Sequence, residues 1–401
     1  MKSKGILLTA LGCLGTIVVL GQQAPVPAPP AAAAAPQQGP GVQAPSDARF
    51  AALVAAKCKN PPAPRGAGGG RGPGAGGGQA AVNEPPAHRD YTVTGIPGVI
   101  AAGQKWTSIW KGTGNNADGI IATKDGGILA AQNTNSAVMK IDKNNKVSTP
   151  HKDTNTGGAL SMNKKGALFV VERGIPQSIW QLEPKRQMLA DTYNGEPLDC
   201  LGGPVNDLTA DSKGGVYFTM GGVYYANPKG VVTKYGTLTG VNGIVLSPDE
   251  KTLYVTGRVG GAPAGAAAGA VGAPAPAGQG AAAAPAGAAP AGRGAGGGGG
   301  VVAFDVQPDG SLTNERQFAT VGGDGTAVDS QGRVYSTAQS GVQVIAADGK
   351  FLGEIPTPLN FITVAFSGPD KKTLYGVANN QRFDEIFTIQ MISQGYKDRA
   401  K

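Results

Sequence analysis

Four hard oxygen donors stand immediately before short apolar runs, at one position of a repeated pattern. They lie in Asp118-Gly119-Ile120, Asn206-Asp207-Leu208, Asn242-Gly243-Ile244 and Asp324-Gly325-Thr326. Carboxylate and amide oxygens, with no thiolate or imidazole among them, are ligands suited to Ca²⁺, Mg²⁺ or Mn²⁺. Asp-Gly and Asn-Gly are also common turn formers, so one such pair alone indicates a turn. The position shared by four repeats favours a metal site, because turns do not require a common register.

The repeat is most visible in a Gly or Lys followed by a small or polar residue and an apolar pair. The six copies begin at Gly126, Gly166, Gly214, Lys251, Gly332 and Lys372, at intervals of 40, 48, 37, 81 and 40 residues. Short strands repeating with a period of roughly 40 to 50 residues predict the blades of a β-propeller. In such a ring the innermost strands converge on the axis, so the four oxygen donors are expected to surround one point.

The last repeat supplies three strands, near residues 362–366, 373–377 and 385–390. An alternating segment from Trp106 to Trp110 precedes the first repeat and is predicted to be the missing fourth strand. The expected fold is therefore an all-β, six-bladed β-propeller over residues 87–396, closed by an N-terminal strand. Such closure hides both sheet edges.

The 65 Gly and 30 Pro concentrate before residue 86 and between residues 259 and 300. Lys2 and Lys4, an apolar run over 6–20 and then Gly21 predict a signal peptide over residues 1–21, and hence export to the periplasm or beyond the cell. Residues 22–86 are predicted to be a disordered tether with one short helix over 46–57. Residues 259–300 are predicted to be a disordered insertion between the second and third strands of blade four.

The cysteines, the net charge and the absence of two catalytic motifs limit the classes of function that fit this sequence. After signal cleavage Cys58 and Cys200 remain, either as a disulfide or as two free thiols. The net charge of +8 is scattered through turns, which argues against nucleic-acid binding, and no stable membrane span is expected after cleavage. His88 lies outside the ring and His151 is predicted on a loop after blade one. Neither a Gly-x-Ser-x-Gly nucleophile elbow nor a His-Glu-x-x-His motif occurs.

Three segments resemble the SMP-30/gluconolactonase family: residues 242–255, with the sequence NGIVLSPDEKTLYV, residues 205–219 and residues 324–329. The resemblance covers residues 118 to about 390, apart from the insertion. It implies a six-bladed propeller with one divalent cation on its axis and hydrolysis of a sugar-type or related lactone. It further implies that Asn242 and Asp324 are metal ligands, that Asp324 is also the catalytic acid or base, and that Asn206 lies near the metal or the substrate.

The chain departs from that family in blade one, where Asp118-Gly119-Ile120 stands in place of the usual Glu-Gly-Pro. The predicted metal ligands are thus Asp118, Asn206, Asn242 and Asp324, with Ca²⁺ as the first choice and Mg²⁺, Mn²⁺ or Zn²⁺ as alternatives. Asn206 and Arg173 are candidates for binding substrate, although the sequence favours a solvated turn charge at Arg173. The alternative function is a non-catalytic extracellular binding or scaffold propeller with a structural axial ion, since one fold serves many functions.

Overall fold

The computed structural model describes residues 48–62, 84–259 and 299–401. The predicted signal peptide lies outside these residues, as do most of the predicted tether and most of the insertion in blade four. Among the described residues no helix is long and apolar enough to cross a membrane.

Six antiparallel four-stranded sheets and one two-stranded ribbon form in the described part of the chain. Before the first blade come α1 (Ala48–Lys57) and β1 (Thr107–Thr113). Blade one comprises β2 (Ile120–Ala122), β3 (Ile128–Gln132), β4 (Ala137–Ile141) and β5 (Val147–Lys152). Blade two comprises β6 (Gly157–Met162), β7 (Leu168–Glu172), β8 (Ser178–Glu183) and β9 (Gln187–Ala190). The ribbon β10 (Thr192–Tyr193) and β11 (Glu196–Pro197) and a 3₁₀ helix, Leu198–Leu201, lead to the third blade.

The remaining blades repeat this order. Blade three comprises β12 (Leu208–Ala210), β13 (Val216–Thr219), β14 (Val223–Ala226) and β15 (Val232–Tyr235). Blade four comprises β16 (Ile244–Leu246), β17 (Thr252–Thr256), β18 (Val301–Val306) and β19 (Leu312–Ala319). Blade five comprises β20 (Thr326–Val328), β21 (Val334–Thr337), β22 (Gly341–Ile345) and β23 (Phe351–Pro356). Blade six comprises β24 (Phe361–Ser367), β25 (Thr373–Asn379) and β26 (Phe383–Gln390), with β1 paired to β26.

The first strands of the blades form a closed inner ring, in which β2, β6, β12, β16, β20 and β24 each contact the next and β24 contacts β2. The all-β six-bladed propeller is therefore confirmed. We call the end of the ring where these strands start the axial face, and the end where they finish the far face. Every residue of β2, β12, β16 and β20 is buried. Short, fully buried strands made mostly of apolar residues fit an inner ring that is covered on both sides.

The core lies between neighbouring blades. Ile120 and Met139 of blade one pack in one buried cluster with Tyr375 and Ile386 of blade six. Burial of a side chain of this size contributes roughly 1.5–3 kcal/mol. Because each blade shares its apolar faces with both neighbours, the inner strand starts are held in a fixed register around the axis.

A disulfide joins Cys58, at the end of α1, to Cys200 in the 3₁₀ helix. This settles the open alternative in favour of the bridge. The helix α1, Ala48–Lys57, matches the described part of the short helix predicted over 46–57. The bridge ties α1 to the segment that leads into Asn206.

His151 was predicted on a loop, but it lies in β5, the outermost strand of blade one. Its Nε2 atom is 3.0 Å from Oε1 of Glu183 in blade two. The prediction was wrong, and Pro150 beside His151 does not interrupt the strand. An outermost strand tolerates proline since one of its edges needs no ladder hydrogen bonds.

Candidate functional site on the ring axis

The four predicted oxygen donors all stand directly before inner strands, at the axial face. Asp118 precedes β2, Asn206 precedes β12, Asn242 precedes β16 and Asp324 precedes β20. All four are partly buried, whereas the strands they introduce are fully buried. The repeat register thus places side chains from blades one, three, four and five around one axis.

Threonines at the ends of second strands hold these starts in place. The hydroxyl of Thr219 in blade three donates to the carbonyl of Asn242 at 2.7 Å, and that of Thr256 in blade four donates to the carbonyl of Asp324 at 3.1 Å. Thr337 of blade five makes the same contact to the carbonyl of Ile362, at 3.2 Å. Each hydroxyl bonds the start of the following blade. The site is therefore built on hydrogen-bonded strand ends.

Arg173 lies among the donors, and all five of its N–H groups are engaged. Its Nη1 atom donates to Oδ2 of Asp118 at 2.5 Å and to Oδ1 of Asn133 at 3.2 Å. Its Nη2 atom donates to the carbonyl and to Oδ1 of Asn206, at 2.7 and 3.0 Å, and Nε donates to the carbonyl of Val205 at 2.9 Å. With its side chain only 17% exposed, Arg173 is not a solvated turn charge. It is a built-in cation that bridges blades one and three.

Gly158 makes room for this guanidinium. It occupies the position in blade two that corresponds to the donor positions of the other blades, and a Cβ there would lie 2.1 Å from Cζ of Arg173. No side chain larger than hydrogen fits while Arg173 stays where it is. Blade two therefore contributes Arg173, from the end of its second strand, instead of a residue at the start of its first.

The two asparagines of the donor set touch each other. Nδ2 of Asn206 donates to Oδ1 of Asn242 at 2.5 Å, and Oδ2 of Asp118 also accepts from Nδ2 of Asn133 at 2.9 Å. Oxygen atoms of two amides and two carboxylates are a donor set that fits a hard divalent ion. In the described chain no three His, Cys, Asp or Glu side chains cluster as a metal site. A cation here would rely on the two amides and on Asp324, and on Asp118 only where Arg173 releases its carboxylate.

The backbone of Asp324 is hydrogen-bonded to the ends of two second strands, one in its own blade and one in blade four. Its amide donates to the carbonyl of Thr337 at 2.9 Å, while its carbonyl accepts from Thr256. Gly243 packs so closely that a Cβ there would lie 2.3 Å from the Asp324 carbonyl oxygen. Blades four and five can approach this closely only because residue 243 is a glycine. The close approach places Asn242 next to the start of blade five, where Asp324 lies.

Asp207, directly after Asn206, braces the site from within the ring. Its Oδ2 accepts from the amide of Ile244 at 3.0 Å, and its Oδ1 accepts from the amide of Leu208 at 2.9 Å. Nζ of Lys401 also contacts Oδ1. Burial lowers the pKa of the Lys401 ammonium, while the Asp207 carboxylate acts in the opposite direction. Asp207 therefore links the starts of blades three and four and neutralises a buried cation.

A second carboxyl group lies behind Asp118. Asp384 in β26 is 2% exposed, and its Oδ2 accepts from the amide of Asn116 at 2.6 Å. Its Oδ1 is buried without a hydrogen-bond partner in the described structure. Burial, with a smaller contribution from the negative charge of Asp118, raises the pKa of Asp384 to about 7.

We expect Asp384→Asn to change how stability depends on pH. The folded wild type retains the Asp384 proton up to about pH 7, whereas the unfolded chain loses it near its ordinary pKa of 3.8. The unfolding free energy of the wild type therefore falls as pH rises between these values, by up to about 1.4 kcal/mol per pH unit from this group. The variant lacks this contribution, so its stability relative to wild type rises over the same window.

Urea denaturation at several pH values between about 4 and 8 measures the effect. Asp348→Asn, at an exposed turn, is the matched control and is expected to show no such trend. A stability difference between Asp384→Asn and wild type that stays constant with pH would contradict this account of Asp384.

Sequence reasoning missed Asn133, Asp207, Asp384 and Lys401. Asn133 follows Gly126, the first residue of the repeat in blade one, at the same spacing at which Arg173 follows Gly166 in blade two. A comparison of that register across blades would have found it. Asp384 and Lys401 reach the site from distant parts of the chain, and no local pattern marks them.

A closed ring of six four-stranded blades, with oxygen donors at its inner strand starts, defines a β-propeller with an axial polar site. The SMP-30/gluconolactonase/LRE-like region model matches residues 298–378. This match confirms the resemblance to the SMP-30/gluconolactonase family. The matched segment contains Asp324.

Curated relatives named lactonase drp35 match parts of the chain. The protein from Staphylococcus saprophyticus is 30% identical over 199 residues, which cover 45% of this chain and 57% of the relative. That from Staphylococcus haemolyticus is 30% identical over 162 residues, covering 36% of this chain and 48% of the relative. The chain thus spans about half the length of these curated relatives.

Solved structures share the fold at low sequence identity. A gluconolactonase from Xanthomonas campestris superposes with a TM-score of 0.57 at 20% identity, over 76% of this chain and 96% of that one. A luciferin-regenerating enzyme gives a TM-score of 0.52 at 14% identity, over 73% of this chain and 98% of that one. At these identities the likeness concerns the propeller fold alone.

Proposed function

We propose that this protein is a divalent-metal-dependent hydrolase that opens a sugar-type or related lactone. The observation that carries the proposal is the convergence of oxygen donors from four blades on the ring axis, in one register. The matched family region and the relatives named lactonase support the choice of reaction. Fold alone would not, since propellers serve many functions.

In this proposal Asn206, Asn242 and Asp324 hold the ion, and Asp118 contributes where Arg173 releases it. Ca²⁺ is the first choice, with Mg²⁺, Mn²⁺ or Zn²⁺ as alternatives. A bound divalent ion supplies Lewis-acid polarisation of a carbonyl oxygen. Asp324 accepts the proton of the attacking water, whose oxygen adds to the lactone carbonyl carbon. The ring carbon–oxygen bond then breaks, the ring oxygen takes up a proton, and a hydroxy acid results.

Arg173 affects this site in two ways. Its guanidinium neutralises Asp118 and occupies Oδ1 of Asn206, both proposed ligands. Since all five N–H groups are already engaged, a substrate oxygen can bind Arg173 only in exchange for one of these bonds. Substrate and metal binding are therefore both expected to depend on how firmly Arg173 holds its partners.

Replacement of Arg173 by Met is expected to tighten divalent-ion binding by tenfold or more, because it frees a carboxylate and an amide oxygen at once. Titration calorimetry with Ca²⁺ measures this. Arg186→Met is the matched control, since Arg186 pairs with Glu172 at 2.6 Å in the same blade but contacts none of the proposed ligands. Equal or weaker ion binding by the Arg173 variant would show that Arg173 does not compete with the ion.

Export of the protein is also part of the proposal. The basic start, apolar run and Gly21 of residues 1–21 support it, and the Cys58–Cys200 disulfide is typical of an oxidising compartment. Sequencing the N-terminus of protein from its native host tests this. A chain retaining Met1 in the soluble cytosolic fraction would contradict it.

A panel of sugar, aliphatic and aromatic lactones, assayed by acid release, tests the proposed reaction. Hydrolysis of at least one class, lost in an Asp324→Asn variant prepared in parallel, supports it.

The pairing of Asp118 with Arg173 instead favours a second candidate, a binding or scaffold propeller in which the ion is structural. Stoichiometric metal binding without opening of any lactone would favour that candidate.

A further inference from the structure

A cavity of about 260 Å³ opens on the far face of the ring, opposite the axial site. The strand ends of blades one and two, the turn after β24 and the segment 397–400 form its walls. Backbone bonds hold that segment against the ring, with the amide of Ala400 donating to the carbonyl of Met162 at 3.1 Å and the reverse bond at 3.0 Å. The cavity walls are thus tied together.

Among the described residues that line this cavity, Asp398 is the one carboxylate and five are cationic. They are Lys124, Lys164, Lys371, Lys397 and Arg399. Lys124, Lys164 and Lys397 are exposed at the rim, Lys371 is partly buried, and Arg399 is fully buried. Like charges gathered in this way repel one another unless counter-charges lie among them.

Protein carboxylates neutralise little of this charge. Oε1 of Glu250 lies 3.5 Å from Nζ of Lys164 and 3.9 Å from Nη1 of Arg399. Within the described residues no carboxylate forms a salt bridge with Lys124, Lys371 or Lys397. Nε and Nη1 of Arg399 are buried without a hydrogen-bond partner there. Burial without a compensating charge lowers the pKa of Lys371 to about 8.

We propose that this cavity binds a compact polyanion, namely a phosphate group or a small phosphate ester. Lysine and arginine are the usual donors to phosphate, and an anion of two charges would offset repulsion that the protein itself leaves unbalanced. The volume is below the roughly 300–1,000 Å³ of pockets for drug-sized ligands, which favours a small molecule. This site is separate from the axial donors and does not depend on the proposed lactone hydrolysis.

Titration of the full-length protein with inorganic phosphate tests the proposal, at constant ionic strength maintained with chloride. We expect saturable binding of about one phosphate per chain and a rise in melting temperature by mass action. Lys371→Met is expected to weaken binding tenfold or more. Lys124→Met with Lys397→Met, at the exposed rim, is expected to do the same without disturbing the fold.

The matched control is Lys143→Met with Lys229→Met, which removes the same charge from exposed turns elsewhere. Loss of phosphate binding in the cavity variants but not in this control supports the site. Equal loss in both would show that phosphate only responds to net charge, and would overturn the proposal. Absence of saturable binding to the wild type would also overturn it. A glycerol phosphate titration then distinguishes an ester site, which binds the ester at least as tightly, from a site for free phosphate.

Discussion

Asp324→Asn is expected to lower kcat/KM for lactone opening by about a hundredfold or more, while ion binding is largely retained. Asparagine keeps an oxygen donor and nearly the same shape but cannot accept a proton from water. The backbone bonds of residue 324 to Thr256 and Thr337 do not involve its side chain, so the strand start is expected to stay in place. A loss confined to turnover would identify Asp324 as the proton acceptor.

Steady-state rates and calcium titration on the same preparation separate the two roles. Asp348→Asn, in an exposed turn of blade five, is the matched control and is expected to behave as wild type. Wild-type turnover in Asp324→Asn would assign the base to another group. Equal loss of turnover and ion affinity would instead make Asp324 a ligand only.

Asp207→Ala is expected to reduce the free energy of unfolding by about 3 kcal/mol or more. The change leaves the buried Lys401 ammonium without its carboxylate and removes the acceptor of the Ile244 amide at the start of blade four. Asp207→Asn keeps an acceptor but no charge, so an intermediate loss is expected. The effect would show that the residue beside Asn206 stabilises the ring.

Urea denaturation measures these losses. Asp348→Ala, which also removes an exposed turn carboxylate, is expected to change stability by less than about 0.5 kcal/mol. If Asp207→Ala were as stable as this control, the contact between Lys401 and Asp207 would contribute nothing to the fold.

Local pattern predicted most of the ring. The Gly or Lys before a small residue and an apolar pair located the second strand of every blade, and the interval of 81 residues located the insertion between β17 and β18. These signals are reliable because turn chemistry and strand alternation act over a few residues. The same register predicted that four oxygen donors would lie at the axial face, namely Asp118, Asn206, Asn242 and Asp324.

The contacts that decide the chemistry were not predictable in this way. Arg173 and Asp118 are 55 residues apart, and Lys401 and Asp207 are 194 apart. Such pairs form because ring closure brings different blades together, and no periodicity within one blade encodes them. Gly158 could have indicated this arrangement. Blade two is the one blade with a glycine at the donor position, and it is also the blade that supplies Arg173.

The most direct test of the central claim is the rate of lactone opening by one preparation before chelation, after chelation and after Ca²⁺ is returned. The account predicts that removal of divalent ions abolishes hydrolysis, and that activity returns as about one ion binds per chain. Full activity in protein shown by elemental analysis to be free of metal would contradict it.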